Sequence, residues 1–239
     1  TKYLCDVRLA YIIGTYPQLS TTFIDRELEA LTEMGASIQI LSIRRPPPQT
    51  LAAYGRMPCR ITYILPVRWR TFMAAHVFFL MRHPGRYLRT VGFLLMGEYL
   101  SLRVRLKSLL HFCEGVYAAY TLLGGRWDHV HAHFVDRAAT VALCVSRLLR
   151  IPYSLTAHAR DIYVEPVMIS EKIQGSAFTV TVSEFNRRHV LRCCPAVQDE
   201  TIVVLHPWVD LAAFRPPERA PCAGLRGADA ICYTVTMNE

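Results

Sequence analysis

The sequence predicts an α/β fold, a Rossmann-like parallel sheet with helices on both faces. Three observations predict it. Short β-branched or apolar runs recur along the chain, as strands covered on both faces require. Between them stand segments with apolar residues at three- and four-residue steps, the period of a helix lying on a sheet. Several runs also end in a polar cluster, and an open parallel sheet keeps its ligand crevice just beyond the carboxyl ends of its strands.

Trp127 to Val190 shows the pattern most fully. Its apolar runs end in His131-Ala132-His133, in Thr156-Ala157-His158-Ala159-Arg160-Asp161, and in Ser183-Glu184-Phe185-Asn186. Between the first two, Ala138, Val141, Ala142, Val145 and Leu148 form a helical stripe. Strand side chains alternate, so His131 and His133 point to one face. Three polar clusters converging on one edge make the candidate active site.

Taken in order, Val7 to Ile13 is apolar apart from Arg8 and predicts a buried strand ending at Gly14. Thr15 to Thr22 is a hydroxyl-rich loop. Ser20 is the expected N-cap of a helix whose stripe is Phe23, Ile24, Leu28, Leu31 and Met34, with Gly35 as its stop. That helix's amino end can meet an anion. An ordinary capped helix fits as well, because the glycine-rich fingerprint is absent. Ile38 to Ile43 is the second strand, closed by Arg44-Arg45-Pro46-Pro47-Pro48, and Ile61 to Leu65 is the third.

Pro66 to Leu123 is helical, aromatic and poor in acids. From Arg68 to Lys107 there are eight basic residues against one acid, Glu98. Such a surface suits an anionic bilayer, and it suits equally a helical layer that covers the sheet and turns its arginines to water. Phe178 to Val182 reads as another strand, and Asn186 to Cys194 as a short basic helix ended by Pro195. Thr201 to Leu205 is the last strand. His206-Pro207-Trp208-Val209-Asp210 and Phe214-Arg215-Pro216-Pro217 follow, and Glu218 to Glu239 has no packing periodicity.

Composition narrows the function classes. An apolar fraction of 52% supplies a sizeable core, and a formal charge of +8 favours an anionic partner. The eight cysteines have no C-x-x-C spacing and several occupy apolar helical positions, so a reducing cytoplasm is expected rather than a disulfide scaffold. No leader and no membrane-span-length apolar run is visible.

Two readings come from the residues alone. In a metal-dependent hydrolase, His131 and His133 would be joined by His158 or His206 and by Asp161 or Asp210. Three strands and a long helical region precede the H-x-H, however, and alone it is a weak signal. A non-catalytic module for anionic surfaces is the second reading. No nucleic-acid-binding motif accompanies the charge, so nucleic acid is not an expected partner.

The third reading is a resemblance. The runs Y-P-Q-L-S-T-T-F-I-D-R-E-L-x-A-L (Tyr16 to Leu31), H-A-H-F (His131 to Phe134), T-A-H-A-R-D-I-Y (Thr156 to Tyr163) and V-S-E-F-N-R-R (Val182 to Arg188) occur in that order. Together they resemble family-4 retaining glycosyltransferases, most closely the exopolysaccharide branch that includes colanic-acid-type enzymes. V-D-L-x-x-F-R-P (Val209 to Pro216) resembles the link into the second domain of those enzymes.

The resemblance implies the amino-terminal half of a GT-B fold, two Rossmann-like domains facing across a cleft. It implies an acceptor-side domain over residues 1–217, with a basic helical insertion at about 66–124 and an unpatterned tail at 218–239. The partners would be a nucleotide-diphosphate sugar donor and a glycan or lipid-linked acceptor, at an anionic membrane surface on the cytoplasmic side. No cofactor and no metal would be required. His158 matches the histidine that meets the transferred sugar, with Arg160 towards phosphate and Asp161 orienting its neighbours or an acceptor hydroxyl. Tyr16, Ser20 and Thr22 would form the first loop near acceptor and diphosphate, and His133, Ser183 and Asn186 would stand at adjacent strand ends. A helix N-cap at Ser183, with Asn186 on the exposed first turn, is an equal alternative, and a structural role is expected for His131.

Two departures stand out. Ser20-Thr21-Thr22-Phe23 replaces a common Ser-Glu-Thr-Phe, and Pro207-Trp208 replaces a small glycine-containing turn. A donor-binding domain is also expected after Pro217. Without it, this chain would transfer sugar poorly unless a separately encoded donor domain joined it.

Overall fold

The structure, a computed structural model, describes residues 6–54, 59–97, 99, 101–164 and 166–206. The expected link at Val209 to Pro216 and the tail lie outside the described residues, as do Asp210, Cys5, Cys222 and Cys232.

Seven parallel strands form one sheet in the order β3-β2-β1-β4-β5-β6-β7. They are β1 (Arg8–Thr15), β2 (Ser37–Arg44), β3 (Arg60–Tyr63), β4 (His129–His133), β5 (Tyr153–Ala157), β6 (Phe178–Thr181) and β7 (Ile202–Val204). The chain winds outward from β1 to β3, then returns to place β4 on the other side of β1. The order therefore reverses between β1 and β4, and the crevice of an open sheet lies at such a reversal.

Alternation along the strands sorts the core. Ala10 and Ile12 of β1, Val130 and Ala132 of β4, and Leu155 and Ala157 of β5 enter the larger hydrophobic cluster. Tyr11 and Ile13, with Ile40 of β2, face the opposite way under Ile24 and Leu28 of α1 (Thr22–Glu33). Gly35, at a φ of 101°, follows α1 and turns the chain into β2, a left-handed conformation that costs glycine little. Helices thus cover both faces, as the strand and helix periods predict.

The helical middle comprises α3 (Trp69–Arg82), α4 (Pro84–Met96) and α5 (Leu102–Leu122). It is part of the domain core rather than an appendage. Phe79, Leu94, Phe112 and Val116 share one cluster with Ile12 and Leu41 of the sheet. Inside this layer α5 packs closely on α6 (Arg137–Leu149). A Cβ at Gly115 would collide with that of Cys144.

Several sequence expectations are corrected. Ser20 does not cap α1: a 3-10 turn occupies Leu19–Thr21, and Thr21 holds the N-cap position without a side-chain hydrogen bond. Phe23 and Met34, assigned to the apolar stripe, are exposed, since the stripe is wider than the sheet face it covers. Strand β1 continues through Gly14 to Thr15. Short helices that the sequence did not disclose are α2 (Pro48–Ala53), α7 (Ala159–Tyr163) and α8 (Ile169–Gln174), whereas the basic helix expected at Asn186 to Cys194 is α9 (Glu184–Cys193). At five or six residues, α2, α7 and α8 are too short to show a helical period. Cys59, Cys113, Cys144, Cys193 and Cys194 are free thiols.

The Gly115 contact gives a test of this layer. Gly115→Ala should destabilise the domain by about 1–3 kcal/mol through forced separation of α5 from α6, read as a lower urea midpoint.

Candidate active site at the carboxyl edge of the sheet

The site grows from the ends of β4 and β5, beside the reversal in strand order. His133 is the last residue of β4, and His158 follows the last residue of β5. Parallel register sets Thr156 beside His133, which brings the two imidazoles to 6.1 Å between centroids. Phe23 of α1 packs against both, at 5.8 Å from His133 and 5.2 Å from His158. Phe134, at a φ of 74°, lies 4.4 Å from His158 between ring centroids. The exposed Phe23 is therefore the aromatic wall of the site.

Burial sets the charge of two imidazoles at this edge, His158 and His131. His158 is pushed down to about 4 by burial and by the neighbouring His133, so it is neutral at pH 7. His131 is pushed down to about 3, mainly by burial. Its Nδ1 lies 2.8 Å from Ser154 Oγ and its Nε2 lies 3.0 Å from Thr156 Oγ1. His131 is thus a satisfied structural histidine. By contrast Nδ1 and Nε2 of His133, and Nε2 of His158, are buried without hydrogen-bond partners. A buried polar atom left so costs about 1–3 kcal/mol, and a ligand hydroxyl could offset that cost.

Glu27 of α1 faces His133, with Oε2 3.4 Å from Nε2, and accepts a 2.7 Å hydrogen bond from the Tyr11 hydroxyl. Burial works to raise this carboxyl, but His133, His131 and Tyr11 outweigh it and bring it down to about 2. Glu27, His131 and His133 form the metal-capable group found among the described residues. His158 is not in it, and both nitrogens of His131 already face hydroxyls. A metal bound there would have to displace one of those hydroxyls.

Beneath His158 the loop Phe134–Asp136 is gripped from two sides. Asp161 Oδ2 accepts from the backbone N–H of Val135 at 2.9 Å and of His158 at 3.2 Å. Lys172 Nζ donates to the carbonyls of Val135 at 2.8 Å and Asp136 at 2.9 Å. Burial raises Asp161 to about 6, against the pull of its two backbone donors, and lowers Lys172 to about 8. Asp161 therefore holds the backbone of its neighbours in place. Lys172 was missed, as was Glu27. Each had a signal: Lys172 stands with Ile169 and Ile173, and Glu27 with Ile24, Leu28 and Leu31, at apolar-face spacing. Around the same edge His111 is pushed down to about 3, by burial first and then by Arg137, Lys172, Lys107 and Arg44, so the local field is positive.

The other expected residues fall as follows. Ser20 is exposed in the 3-10 turn after β1, Thr22 is exposed at the first residue of α1, and Arg160 is exposed on α7. Tyr16 was expected to line the loop after β1. Its ring lies in the core, with its hydroxyl donating to Asp25 and its N–H to Ser42 Oγ, because the end of β1 runs under α1. Ser183 caps α9 by accepting from the N–H of Asn186. Asn186, expected on an exposed first turn, is buried and accepts from the Tyr163 hydroxyl at 2.9 Å. His206 is exposed.

No protein-family model matches the chain, and no curated protein matches it. Among solved structures, a glycosyltransferase from Rickettsia africae aligns with a TM-score of 0.50 and 12% identity, over 90% of this chain and 46% of that one. A UDP-N-acetylglucosamine 2-epimerase from Rickettsia bellii aligns with a TM-score of 0.47 and 12% identity, over 82% and 43%. A UDP-GlcNAc 2-epimerase from Neisseria meningitidis, bound to UDP-GlcNAc, aligns with a TM-score of 0.46 and 10% identity, over 83% and 46%. The chain spans less than half the length of these structures. At such identities the likeness to the Rickettsia africae protein is one of fold.

Two tests follow from the gripped loop. Lys172→Met should destabilise by about 1–3 kcal/mol, since it strips two buried carbonyls of their donor, and amide exchange at the loop should accelerate. Asp161 has a raised pKa in the fold, so its contribution is fully present below its ordinary value near 3.8 and is lost as pH rises through about 6. The stability of the native protein relative to Asp161→Asn should therefore fall by about 2–3 kcal/mol between pH 4 and pH 7. His158 works oppositely in the same window, so the difference between the two proteins is the quantity to measure by urea titration.

Proposed function

We propose that this domain is the acceptor-side half of a retaining glycosyltransferase of the GT-B type, resembling family 4. It would move a sugar from a nucleotide-diphosphate donor to a glycan or lipid-linked acceptor in exopolysaccharide or cell-envelope synthesis. The observation that carries the reading is the pair His133 and His158. His133 is buried and His158 half-buried beside the strand-order reversal, His133 Nδ1 and His158 Nε2 are buried without partners, Phe23 packs on both rings and Phe134 on His158. The neutral His158 imidazole, with its free nitrogen, can bind a sugar hydroxyl without a charge to neutralise. Aromatic faces of this kind suit the apolar C–H side of a pyranose.

In this reading His158 contacts the transferred sugar, and His133, held by Glu27, shapes the pocket next to it. Asp161 sets the backbone on which His158 stands. Arg160 and the positive field around Arg44, Lys107 and Arg137 favour the departing diphosphate, whose charge must be stabilised as the bond to the sugar breaks. A second Rossmann-like domain, in the same polypeptide or a separate one, supplies most contacts to the nucleotide. The seven-stranded parallel sheet and its likeness in fold to the Rickettsia africae glycosyltransferase support this reading. The ordered series of motifs from Tyr16 to Arg188 supports the family.

The test is His158→Ala in a form that includes the donor-binding domain, with release of nucleoside diphosphate as the readout. Transfer should fall at least about 100-fold with the thermal midpoint little changed. Full activity in the variant would remove His158 from the mechanism. A loss of activity on adding a chelator would point instead to Glu27, His131 and His133 as a metal site.

A further inference from the structure

The outer layer of the molecule carries apolar side chains that its core does not use. Helix α3 buries Ala75 and Phe79 on one side. On the other it exposes Trp69, Met73, Val77 and Leu80, which recur at helical spacing along one outward face. Helix α4 buries Leu94 and exposes Leu88, Leu95 and Met96. In α5 the first half exposes Leu102, Leu106 and Leu110, again one turn apart. Half of the large exposed hydrophobics among the described residues lie on these three helices, which is more than scattered surface leucines explain.

The charge on this face has one sign. Arg70, Arg82 and Arg89 border the apolar residues of α3 and α4, and Arg103 and Lys107 border those of α5. None of the five is in an ion pair among the described residues. The single acid between Arg68 and Lys107 in the sequence is Glu98. No helix among the described residues is long and apolar enough to cross a membrane.

We infer that the outward faces of α3, α4 and the first half of α5 lie on an anionic lipid bilayer. Leucine, methionine and tryptophan would enter the headgroup boundary while the arginines and lysine meet lipid phosphates, as amphipathic helices do at an interface. A second copy of this chain fits the face poorly: a two-fold contact through the same patch would set its cations against one another. The position also suits a lipid-borne ligand. Gly115 abuts Cys144, which lies two turns into α6, so the first turns of α5 stand beyond the start of α6, on the side of the carboxyl edge. The inference rests on this surface alone and does not depend on sugar transfer.

Vesicle co-sedimentation tests it, comparing phosphatidylcholine vesicles with vesicles containing about one third phosphatidylglycerol. Binding to the anionic vesicles should be at least tenfold tighter, should weaken with added salt, and should shift the Trp69 emission to the blue relative to Trp69→Phe. Met73→Glu and Leu106→Glu should each weaken binding about tenfold. Arg103→Gln and Lys107→Gln should each weaken it about fivefold. If a glutamate disturbs its helix by circular dichroism, Met73→Ser and Leu106→Ser carry the same test with smaller losses. Equal binding to both vesicle types, or wild-type affinity in the Met73 and Leu106 variants, would overturn the inference. A dimer in sedimentation equilibrium that Met73→Glu dissociates, with no vesicle binding, would assign the face to a second copy instead.

Discussion

Two buried charges hold the three-residue loop that joins β4 to α6, and the geometry of the site depends on them. Asp161 takes the Val135 N–H, and Lys172 gives its ammonium protons to the Val135 and Asp136 carbonyls. The same Asp161 oxygen also takes the His158 N–H, so the ends of β4 and β5 are tied to one carboxylate. Lone buried charges are costly, and each here is kept by backbone dipoles more than by direct pairing with the other. The shifted pKa values of both groups record that cost. A loop held this way can carry an aromatic residue at positive φ, Phe134, against the face of His158.

The reversal of strand order then decides which side chains meet. Since β4 lies beside β1 instead of β3, the histidines at its end face α1, the helix that follows β1. That is how Phe23 and Glu27, more than 100 residues away in sequence, become neighbours of His133. The two faces of β4 have different work. Val130 and Ala132 are small and apolar and seal the larger core, while His131 and His133 on the other face join a polar row with Ser154 and Thr156. Only His131 is satisfied by that row. The unsatisfied nitrogens lie at the strand ends, on the carboxyl edge of the sheet.

The helical layer of α3 to α5 meets two demands at once. Its inward residues complete the sheet's larger core through Phe79, Leu94, Phe112 and Val116. Its outward residues remain apolar and basic. A layer needed only to cover the sheet would gain nothing from an exposed Trp69 or from a leucine at each of three successive turns of α5. One set of helices therefore combines a cover for the sheet with an outward face that is apolar and basic.

The sequence by itself determined the architecture, because the strand and helix periods, and the polar residues that end each strand, are local properties that survive without neighbours. His131, His133, His158 and Asp161 were legible for that reason, as was the stop at Gly35. Tertiary structure decided which of these groups are spent and which remain available. Whether an imidazole is satisfied depends on the strand beside it: His131 finds two hydroxyls on β5, and His133 finds none. It also decided that Tyr16 fills the core, that Asn186 is buried, and that Lys172 and Glu27 turn inward from helices whose pattern implied apolar residues at those positions. Charges are placed in a core by partners that come from distant segments, and no local period encodes which partners those will be.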